Sequence, residues 1–393
     1  MITHHKFIYK NAIDMKAVSS GSVDLIVTSP PYPMVEMWDE VFAGQNNAIV
    51  KTLENGDGPA AFELMHQLLD PVWEEVYRVL KVGGLACINI GDATRTINKN
   101  FTLYPNHMRT LQTALKLGFS ALPCILWRKQ TNAPNKFMGS GMLPAGAYVT
   151  LEHEYILILR KGPKREFKRE EEKKTRRESA VFWEERNCWF SDVWFDIKGT
   201  PQTLDHKNAR SRSAAYPFEV AYRLINMYSA KGDTVLDPFL GPGTTTAAAI
   251  ASGRNTIGYE IDRSLEEVID RIKKVAVDSS RQIIRNRLAK HIEFVIQRQK
   301  TKGRLKYKNE HYGFPVMTLQ EKELLLSEPL RIIEPEPGCG PAARFFDVAY
   351  ANKPQPEFCR DWAAELRENN LDAVIHRLHH SISVKNSAQM TLF

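Results

Sequence analysis

The glycine-rich segment Leu-Asp-Pro-Phe-Leu-Gly-Pro-Gly-Thr-Thr at residues 236–245 constrains the fold of this chain more than any other. The pattern predicts a strand over residues 234–236 and a helix that continues to Ala251, so the glycines lie in a strand-to-helix turn. Gly241 and Gly243 let the backbone approach a ligand because they carry no Cβ atom. Open α/β sheets bind their ligands at such turns, beyond the carboxyl ends of the strands.

An acidic residue follows the next predicted strand, which covers residues 256–259. Glu260 is placed to accept hydrogen bonds from both hydroxyls of a ribose, as carboxylates do in nucleotide-binding α/β folds. Thr244 and Thr245 are placed to cap the helix after the turn. The alternative is an ordinary tight turn with Asp237 as its capping residue. The acid at the end of the next strand favours nucleotide binding.

A second motif, Thr-Ser-Pro-Pro-Tyr at residues 28–32, follows a predicted buried strand over residues 24–27. The two prolines stiffen the loop and remove two backbone donors, so the carbonyl groups of Ser29 and Pro30 are free to accept hydrogen bonds. Accepting both hydrogens of an exocyclic amine pulls its nitrogen toward tetrahedral geometry and exposes its lone pair. Tyr32 is suited to stack on a base turned out of a duplex. Taken alone, the motif is equally compatible with an ordinary Pro-Pro surface turn.

Short apolar runs alternate with helical patterns from Phe7 to about Gly162, which is typical of a parallel sheet flanked by helices. The segment 162–202 is rich in charged and aromatic residues and interrupts this pattern, which resumes after it. We expect one domain over residues 1–290 and a C-terminal extension over residues 300–393. The predicted strands are 24–27, 85–90, 121–127, 154–159, 234–236 and 256–259, and the predicted helices are 66–80, 104–116, 217–229 and 265–288.

The composition fits a globular protein that binds a polyanion. The net charge is +7, and no apolar run approaches the length of a membrane span. The cysteines show no paired spacing of metal ligands, which suits a reducing cytoplasm and predicts no metal site. In a prokaryote we expect the protein in the cytoplasm, associated with the nucleoid. The five cysteines are Cys87, Cys124, Cys188, Cys339 and Cys359.

In combination, the two motifs resemble the amino-methyltransferases of DNA, specifically the permuted (beta-type) group in which the catalytic motif precedes the cofactor motif. The resemblance covers about residues 5–285 and implies a Rossmann-like, doubly wound, mixed seven-stranded α/β sheet of the class I S-adenosylmethionine-dependent methyltransferases. Other segments match the family in order and spacing. They are residues 11–12, 81–84, 88–92, 154–161 and 191–194, and His206 with residues 215–218.

The resemblance implies a role for individual residues of this chain, with S-adenosylmethionine as the cofactor. The catalytic residues it implies are Ser29, Pro30, Pro31 and Tyr32. The cofactor-binding residues it implies are Asn11, Ala12, Asp237, Pro238, Phe239, Gly241, Gly243, Thr244, Thr245 and Glu260, with Pro217 and Phe218 packed nearby.

The target base expected from the resemblance is cytosine, methylated at N4, because Ser in the first catalytic position goes mostly with that base. The nearest alternative is adenine N6 methylation on the same fold, and a further one is a catalytically silent DNA-binding or specificity subunit. RNA is a weaker alternative as substrate. Methylation at carbon 5 of cytosine is discounted, because that chemistry requires a cysteine nucleophile that attacks the ring. We expect base flipping and direct in-line transfer, with no metal and no covalent intermediate.

The insert over residues 162–202 is expected to read the DNA sequence, because its cations can hold phosphates and its polar side chains can reach base edges. The alternative is a solvated, salt-bridged helix surface, since glutamates alternate with the cations. The residues expected to bind DNA are Lys164, Arg165, Lys173, Arg176, Arg177, Arg210 and Arg212.

The last five residues, Gln-Met-Thr-Leu-Phe at 389–393, are similar to the short peptide by which bacterial replication and repair proteins bind the sliding clamp. In an extended tail, Leu392 and Phe393 could enter an apolar pocket of the clamp. The alternative is an ordinary frayed terminus.

Overall fold

The structure is a computed structural model that describes residues 1–129, 138–139, 141–199, 216–334, 343–359 and 362. The strands are β1 (Ile2–Ile8), β2 (Val23–Thr28), β3 (Leu80–Ile90), β4 (Ala93–Ile97), β5 (Asn100–Tyr104), β6 (Phe119–Arg128), β7 (Met138–Gly139), β8 (Ala147–Tyr148), β9 (His153–Lys161), β10 (Val193–Trp194), β11 (Thr234–Asp237), β12 (Asn255–Tyr259), β13 (Tyr307–Lys308), β14 (Pro315–Val316), β15 (Pro329–Ile333) and β16 (Ala343–Tyr350). The α-helices are α1 (Asp39–Ala43), α2 (Ala48–Glu54), α3 (Gly58–Val79), α4 (Asn106–Lys116), α5 (Glu170–Glu178), α6 (Trp183–Trp189), α7 (Phe218–Tyr228), α8 (Thr244–Ser252) and α9 (Glu266–Lys302).

The predicted seven-stranded sheet is present, in the order β6-β9-β3-β2-β11-β12-β1. Six of these strands run parallel, and β9 runs antiparallel to both of its neighbours, β3 and β6. Three more strands widen the sheet to ten. The insert adds β10 beside β6, and the C-terminal extension adds β16 and β15 beside β1.

Helices cover both faces of the sheet, as expected for a doubly wound fold. Alternate residues of β2 point to opposite faces. Ile26 packs on one face in a hydrophobic core with α3, while Leu25 and Val27 pack on the other face with α7 and α8. Helix α3 begins eight residues before its predicted start, because the carboxylate of Asp57 caps it by accepting a hydrogen bond from the backbone N of Ala60 at 3.0 Å.

The C-terminal extension and the insert share a further hydrophobic core. Helix α9 extends past its predicted end at residue 288 to Lys302, so the expected division near residue 300 falls at the end of this helix. Phe182 of the insert packs there against Leu288 of α9, and Arg287 forms a bidentate ion pair with Glu185 of α6. The apolar residues of this core are Phe182, Ile284, Leu288, Ile292, Ile296, Tyr312, Phe314, Val316, Leu324, Leu326, Phe358 and Trp362.

In the part of the chain that the structure describes, no helix combines the length and apolar character needed to cross a lipid bilayer. The predicted linker at residues 334–341 lies almost wholly outside the described residues.

Candidate active site

A cavity of about 240 Å³ lies beyond the carboxyl ends of β1, β2, β11 and β12. This is the edge at which parallel α/β sheets bind their ligands. Both predicted motifs reach it, since Ser29 and Pro31 line the cavity together with Asp237 and Gly241. Residues about two hundred positions apart in the sequence therefore face one space.

A direct hydrogen bond joins the two motifs. The Thr28 hydroxyl donates to one oxygen of Asp237 at 2.6 Å, and the Thr245 hydroxyl donates to the other at 2.5 Å. The backbone N of Phe239 also donates to this carboxylate, at 3.0 Å. Burial raises the pKa of Asp237 to about 6. Asp237 thus holds β2, β11 and the start of α8 in a fixed arrangement around the cavity.

Glu260 lies beside the glycine-rich turn and binds its backbone. Its carboxylate accepts hydrogen bonds from the backbone N of Gly241 at 2.8 Å and of Asp262 at 2.7 Å. Each oxygen accepts one bond and keeps a lone pair free. Burial raises the pKa of Glu260 to about 7. Gly241 has a φ of 55°, and a Cβ atom there would meet nothing closer than the Phe239 carbonyl oxygen at 4.0 Å, so its exposed side is open to a ligand.

The remaining walls of the cavity are mainly apolar. Trp38 and Phe42 come from α1 and the turn before it, Leu69 and Val72 come from α3, and Phe239 comes from the glycine-rich turn. An apolar slot of this kind, next to a carboxylate with free lone pairs, fits an adenosine, with its base between apolar side chains and its ribose at Glu260.

Behind Ser29, a chain of polar side chains crosses the end of the sheet. Ser29 Oγ lies 3.0 Å from the Tyr32 hydroxyl, which donates to Glu154 Oε2 at 2.9 Å. Asn89 Nδ2 donates to both Tyr32 and Glu154, at 2.9 and 2.7 Å. Lys129 Nζ donates to Glu154 Oε1 at 3.1 Å. Burial, followed by the nearby Glu154 charge, raises the pKa of Tyr32 well above its ordinary value, so Tyr32 stays protonated.

The comparison with known families agrees with this geometry. A family model described as DNA methylase, for N6 and N4 amino-methyltransferases, matches residues 23–274, which is more than half of the chain and includes both motifs.

The chain belongs to the DNA methylase family.

Relatives and solved structures give the same result for this methyltransferase. It is 55% identical over 330 residues to the type II methyltransferase M.MthZI of Methanothermobacter thermautotrophicus, covering 84% of this chain and 92% of that protein. It is 51% identical over 290 residues to M.MjaI of Methanocaldococcus jannaschii, covering 71% and 93%. A crystal structure from Thermus thermophilus, complexed with S-adenosyl-L-methionine, aligns with a TM-score of 0.54 at 30% identity, covering 69% and 93%. The fold is that of a class I methyltransferase, and the cofactor is S-adenosylmethionine.

Most of the residues predicted for the site come together at the cavity, and five do not. Gly243 packs against Ile272 of α9, where a Cβ atom would clash, and its predicted contact with the cofactor stays a prediction. The expected capping by Thr244 and Thr245 is wrong, because Gly243 occupies the N-cap position and no side chain caps α8. The predicted residues that line the cavity are Asn11, Ala12, Ser29, Pro31, Asp237, Pro238, Phe239, Gly241, Thr244, Thr245 and Glu260, and those that do not are Pro30, Tyr32, Gly243, Pro217 and Phe218.

Sequence reasoning missed several residues of this region. Tyr216, and not Pro217 or Phe218, reaches the cavity, where its hydroxyl bonds to Thr245. Trp38 and Phe42 belong to a segment in which we predicted no element. Glu154 could have been singled out from the sequence, because it is an acid at the start of a strand whose centre is apolar.

Arg165, one of the cations of the insert predicted to bind DNA, lies at the opposite edge of the sheet. Arg165 forms a bidentate ion pair with Asp233, at 2.6 and 3.0 Å, and lies 3.5 Å from Asp24. Both acids stand at the amino ends of strands whose carboxyl ends carry Ser29 and Asp237, and five residues of strand span roughly 16 Å. The Arg165 guanidinium is held in this pair, which disfavours the predicted contact with a DNA phosphate.

Helix α5 lies at the same distant edge, since the Ser179 hydroxyl that follows it accepts a hydrogen bond from the backbone N of Lys231, just before β11. Three of its cations, Lys173, Lys174 and Arg177, form ion pairs with neighbouring glutamates, as in the alternative of a salt-bridged surface, and DNA contact by the predicted residues stays a prediction. Lys173 pairs with Glu170, and Arg177 pairs with Glu170 and Glu323. Lys164 is exposed, and Arg176 stacks over Phe167. Arg210, Arg212, His206 and residues 389–393 lie outside the described residues.

Proposed function

We propose that this DNA methyltransferase transfers a methyl group to the exocyclic N4 amine of cytosine. Ser29 carries the proposal, because it occupies the first catalytic position and lines the same cavity as the glycine-rich turn. A hydroxyl at this position accepts a hydrogen from the amine without adding a charge beside the base. The lack of charge distinguishes Ser29 from the Asp that the family pattern associates with adenine.

Catalysis in this proposal rests on positioning and on acceptors for the amine. S-adenosylmethionine supplies an electrophilic methyl group on a sulfonium. Ser29, which lines the cavity, accepts one amine hydrogen and so favours a pyramidal nitrogen with an exposed lone pair. Acceptance of the second hydrogen by the carbonyl of Pro30, which does not line the cavity, stays a prediction. Pro31 stiffens the loop that carries these acceptors. The phenol of Tyr32 is held at its hydroxyl, and its ring packs beside Gly91, so stacking of that ring on the base stays a prediction.

We assign the cofactor to the cavity, with its ribose hydroxyls on the free lone pairs of Glu260. Gly241 allows close approach of the backbone at that point. We assign the adenine to the apolar side chains of Trp38, Phe42 and Phe239, and Asn11 also lines the cavity. Asp237 accepts hydrogen bonds from Thr28, Phe239 and Thr245, so we assign it to ordering the loop.

We place the DNA at the edge of the sheet that carries residues 28–32. Ser29 is only partly exposed, so a base within a duplex must leave the helical stack to reach it. The type II relatives suggest that the enzyme acts at a defined sequence, as part of a restriction–modification system.

The test is to identify the modified nucleoside. Unmethylated plasmid DNA is incubated with the protein and S-adenosylmethionine, digested to nucleosides, and examined by mass spectrometry. N4-methyldeoxycytidine is expected. N6-methyldeoxyadenosine would replace the proposed base with the nearest alternative. Measurable cofactor affinity without any modified nucleoside would indicate the silent specificity subunit.

A further inference from the structure

Only one member of the polar chain behind the active site reaches the cavity. Ser29 lines the cavity, whereas Tyr32, Asn89, Glu154 and Lys129 do not. These four side chains lie behind Ser29, one after another across neighbouring strands. Ser29 follows β2, Asn89 is in β3, Glu154 is in β9, and Lys129 follows β6. These hydrogen bonds therefore connect Ser29, where we place the amine, with a carboxylate that does not line the cavity.

The direction of each hydrogen bond in this chain is fixed by Glu154. The Tyr32 hydroxyl has one hydrogen, and the carboxylate, which can only accept, takes it at 2.9 Å. Asn89 must point its amide nitrogen toward Glu154, because its oxygen at 2.7 Å from a carboxylate oxygen would be repelled. Because that hydrogen is used, the Tyr32 oxygen can only accept from Asn89 and from Ser29, and the backbone N–H of Gly91 lies beside it as a further donor.

The Ser29 hydroxyl consequently donates its hydrogen away from the cavity and turns its lone pairs toward it. Glu154 is well placed to maintain this order, because its side chain is only 13% exposed and Asn89 beside it is 2% exposed. Lys129 occupies the other oxygen of Glu154, which leaves Oε2 facing Tyr32. A Ser29 side chain oriented in this way is an acceptor for the substrate amine and not a competing donor.

We propose that Glu154 is the terminal proton acceptor of the methyl-transfer reaction, and that it acts through Tyr32 and Ser29. The inference rests on the proposed role of Ser29 as the acceptor for the target amine. The bond between the sulfonium and the methyl carbon breaks as the bond from that carbon to the amine nitrogen forms. The nitrogen then loses one proton to Ser29 Oγ.

The proton is passed on by three concerted shifts along the hydrogen bonds. As Ser29 Oγ gains the amine proton, its own hydrogen moves to the Tyr32 oxygen, and the Tyr32 hydrogen moves to Glu154 Oε2. The charges balance, because one sulfonium cation and one carboxylate become a neutral thioether and a neutral carboxylic acid. Tyr32 ends the reaction protonated, as it began. Glu154 is thus a positioning residue that gives the departing proton a destination within the protein.

The test compares three replacements in the full-length protein on plasmid DNA carrying the methylation site mapped by sequencing. Glu154→Gln keeps the shape of the side chain but cannot take up a proton. Its amide can donate toward Tyr32 and so reverse the direction of the hydrogen bonds between Glu154, Tyr32 and Ser29. Glu154→Asp shortens the side chain but keeps the carboxylate. Glu152→Gln is the matched control, because Glu152 lies two residues from Glu154 and pairs with Arg128, which takes no part in the hydrogen bonds from Ser29 to Glu154.

We expect Glu154→Gln to slow single-turnover methyl transfer about 100-fold, the range of general acid–base effects. The dissociation constants of the cofactor and of the DNA, measured separately at equilibrium, should match the wild type. Glu154→Asp should be faster than Glu154→Gln, and Glu152→Gln should match the wild type. A merely structural role predicts the reverse order of the two Glu154 variants, since glutamine preserves the packing better than aspartate.

Two results would overturn the inference. One is a Glu154→Gln enzyme that transfers the methyl group as fast as the wild type or as fast as Glu154→Asp. The other is a loss of rate matched by an equal loss of affinity for cofactor or DNA. A failure of the proposed function looks different, because the wild-type protein itself would then give no methylated cytosine.

Discussion

The pH dependence of cofactor binding is a direct consequence of the buried carboxylate at the glycine-rich turn. Burial raises the pKa of Glu260 from 4.5 to about 7 in the free protein. Both of its oxygens already accept one backbone hydrogen bond. If the ribose hydroxyls donate to the remaining lone pairs, the carboxylate must be ionised, and a proton on either oxygen removes one acceptor.

The size of the effect follows from this pKa. When only the ionised form binds, the apparent dissociation constant rises by the factor 1 + 10^(pKa − pH). With a pKa of about 7, that factor is about 1.1 at pH 8 and about 11 at pH 6. Cofactor affinity should therefore fall about tenfold between pH 8 and pH 6, which corresponds to about 1.4 kcal/mol.

The stability of the free protein should change in the opposite sense. Between pH 4.5 and 7, the folded protein holds a proton on Glu260 that the unfolded chain has released, so stability is lost as the pH rises through about 7. The shift of about 2.5 pH units corresponds to up to about 3 kcal/mol. This contribution is fully present below pH 4.5.

The assay is equilibrium binding of labelled S-adenosylmethionine at several values between pH 6 and pH 8, for the wild type and for Glu260→Gln. The variant should bind about 10- to 100-fold more weakly at pH 8, because charge-assisted hydrogen bonds are lost. Its affinity should show no titration near pH 7, and any residual change should lie near pH 6, where Asp237 titrates. Titration of the ligand itself is common to both proteins and cancels in their ratio. A wild-type affinity that is constant from pH 6 to pH 8, or an equal slope in the variant, would refute the reasoning.

Three further predictions concern the rest of the chain. Phe182→Ala should lower the free energy of unfolding by about 3–5 kcal/mol in chemical denaturation, because its buried ring stacks on His291 in the core shared by the insert and the extension. Arg165→Met should lower it by about 2 kcal/mol, because Asp233 loses its partner, and should leave DNA affinity in fluorescence anisotropy unchanged. Weaker DNA binding at unchanged stability would contradict this. Deleting residues 389–393 should abolish pull-down of the sliding clamp, and retained binding would reject the clamp motif.

Local patterns in the sequence predicted much of the central fold. Apolar runs of strand length and helical spacing identified β2, β3, β6, β9, β11 and β12 and most of the helices, because these patterns depend on neighbours a few residues apart. The strands β15 and β16 were not predicted. They are stabilised by pairing at the edge beside β1, a contact that local sequence does not encode.

The sequence alone determined the two motifs, their order along the chain and the residue types that meet the cofactor and the amine. Only the tertiary structure decided which side chains stand behind them. Thr28 meets Asp237 across 209 positions, and Tyr32 meets Glu154 across 122. Glu154 reaches the catalytic edge because β9 runs antiparallel, so that the beginning of this strand lies where β2 and β3 end. That reversal is a property of sheet packing, which no pattern of neighbouring residues specifies.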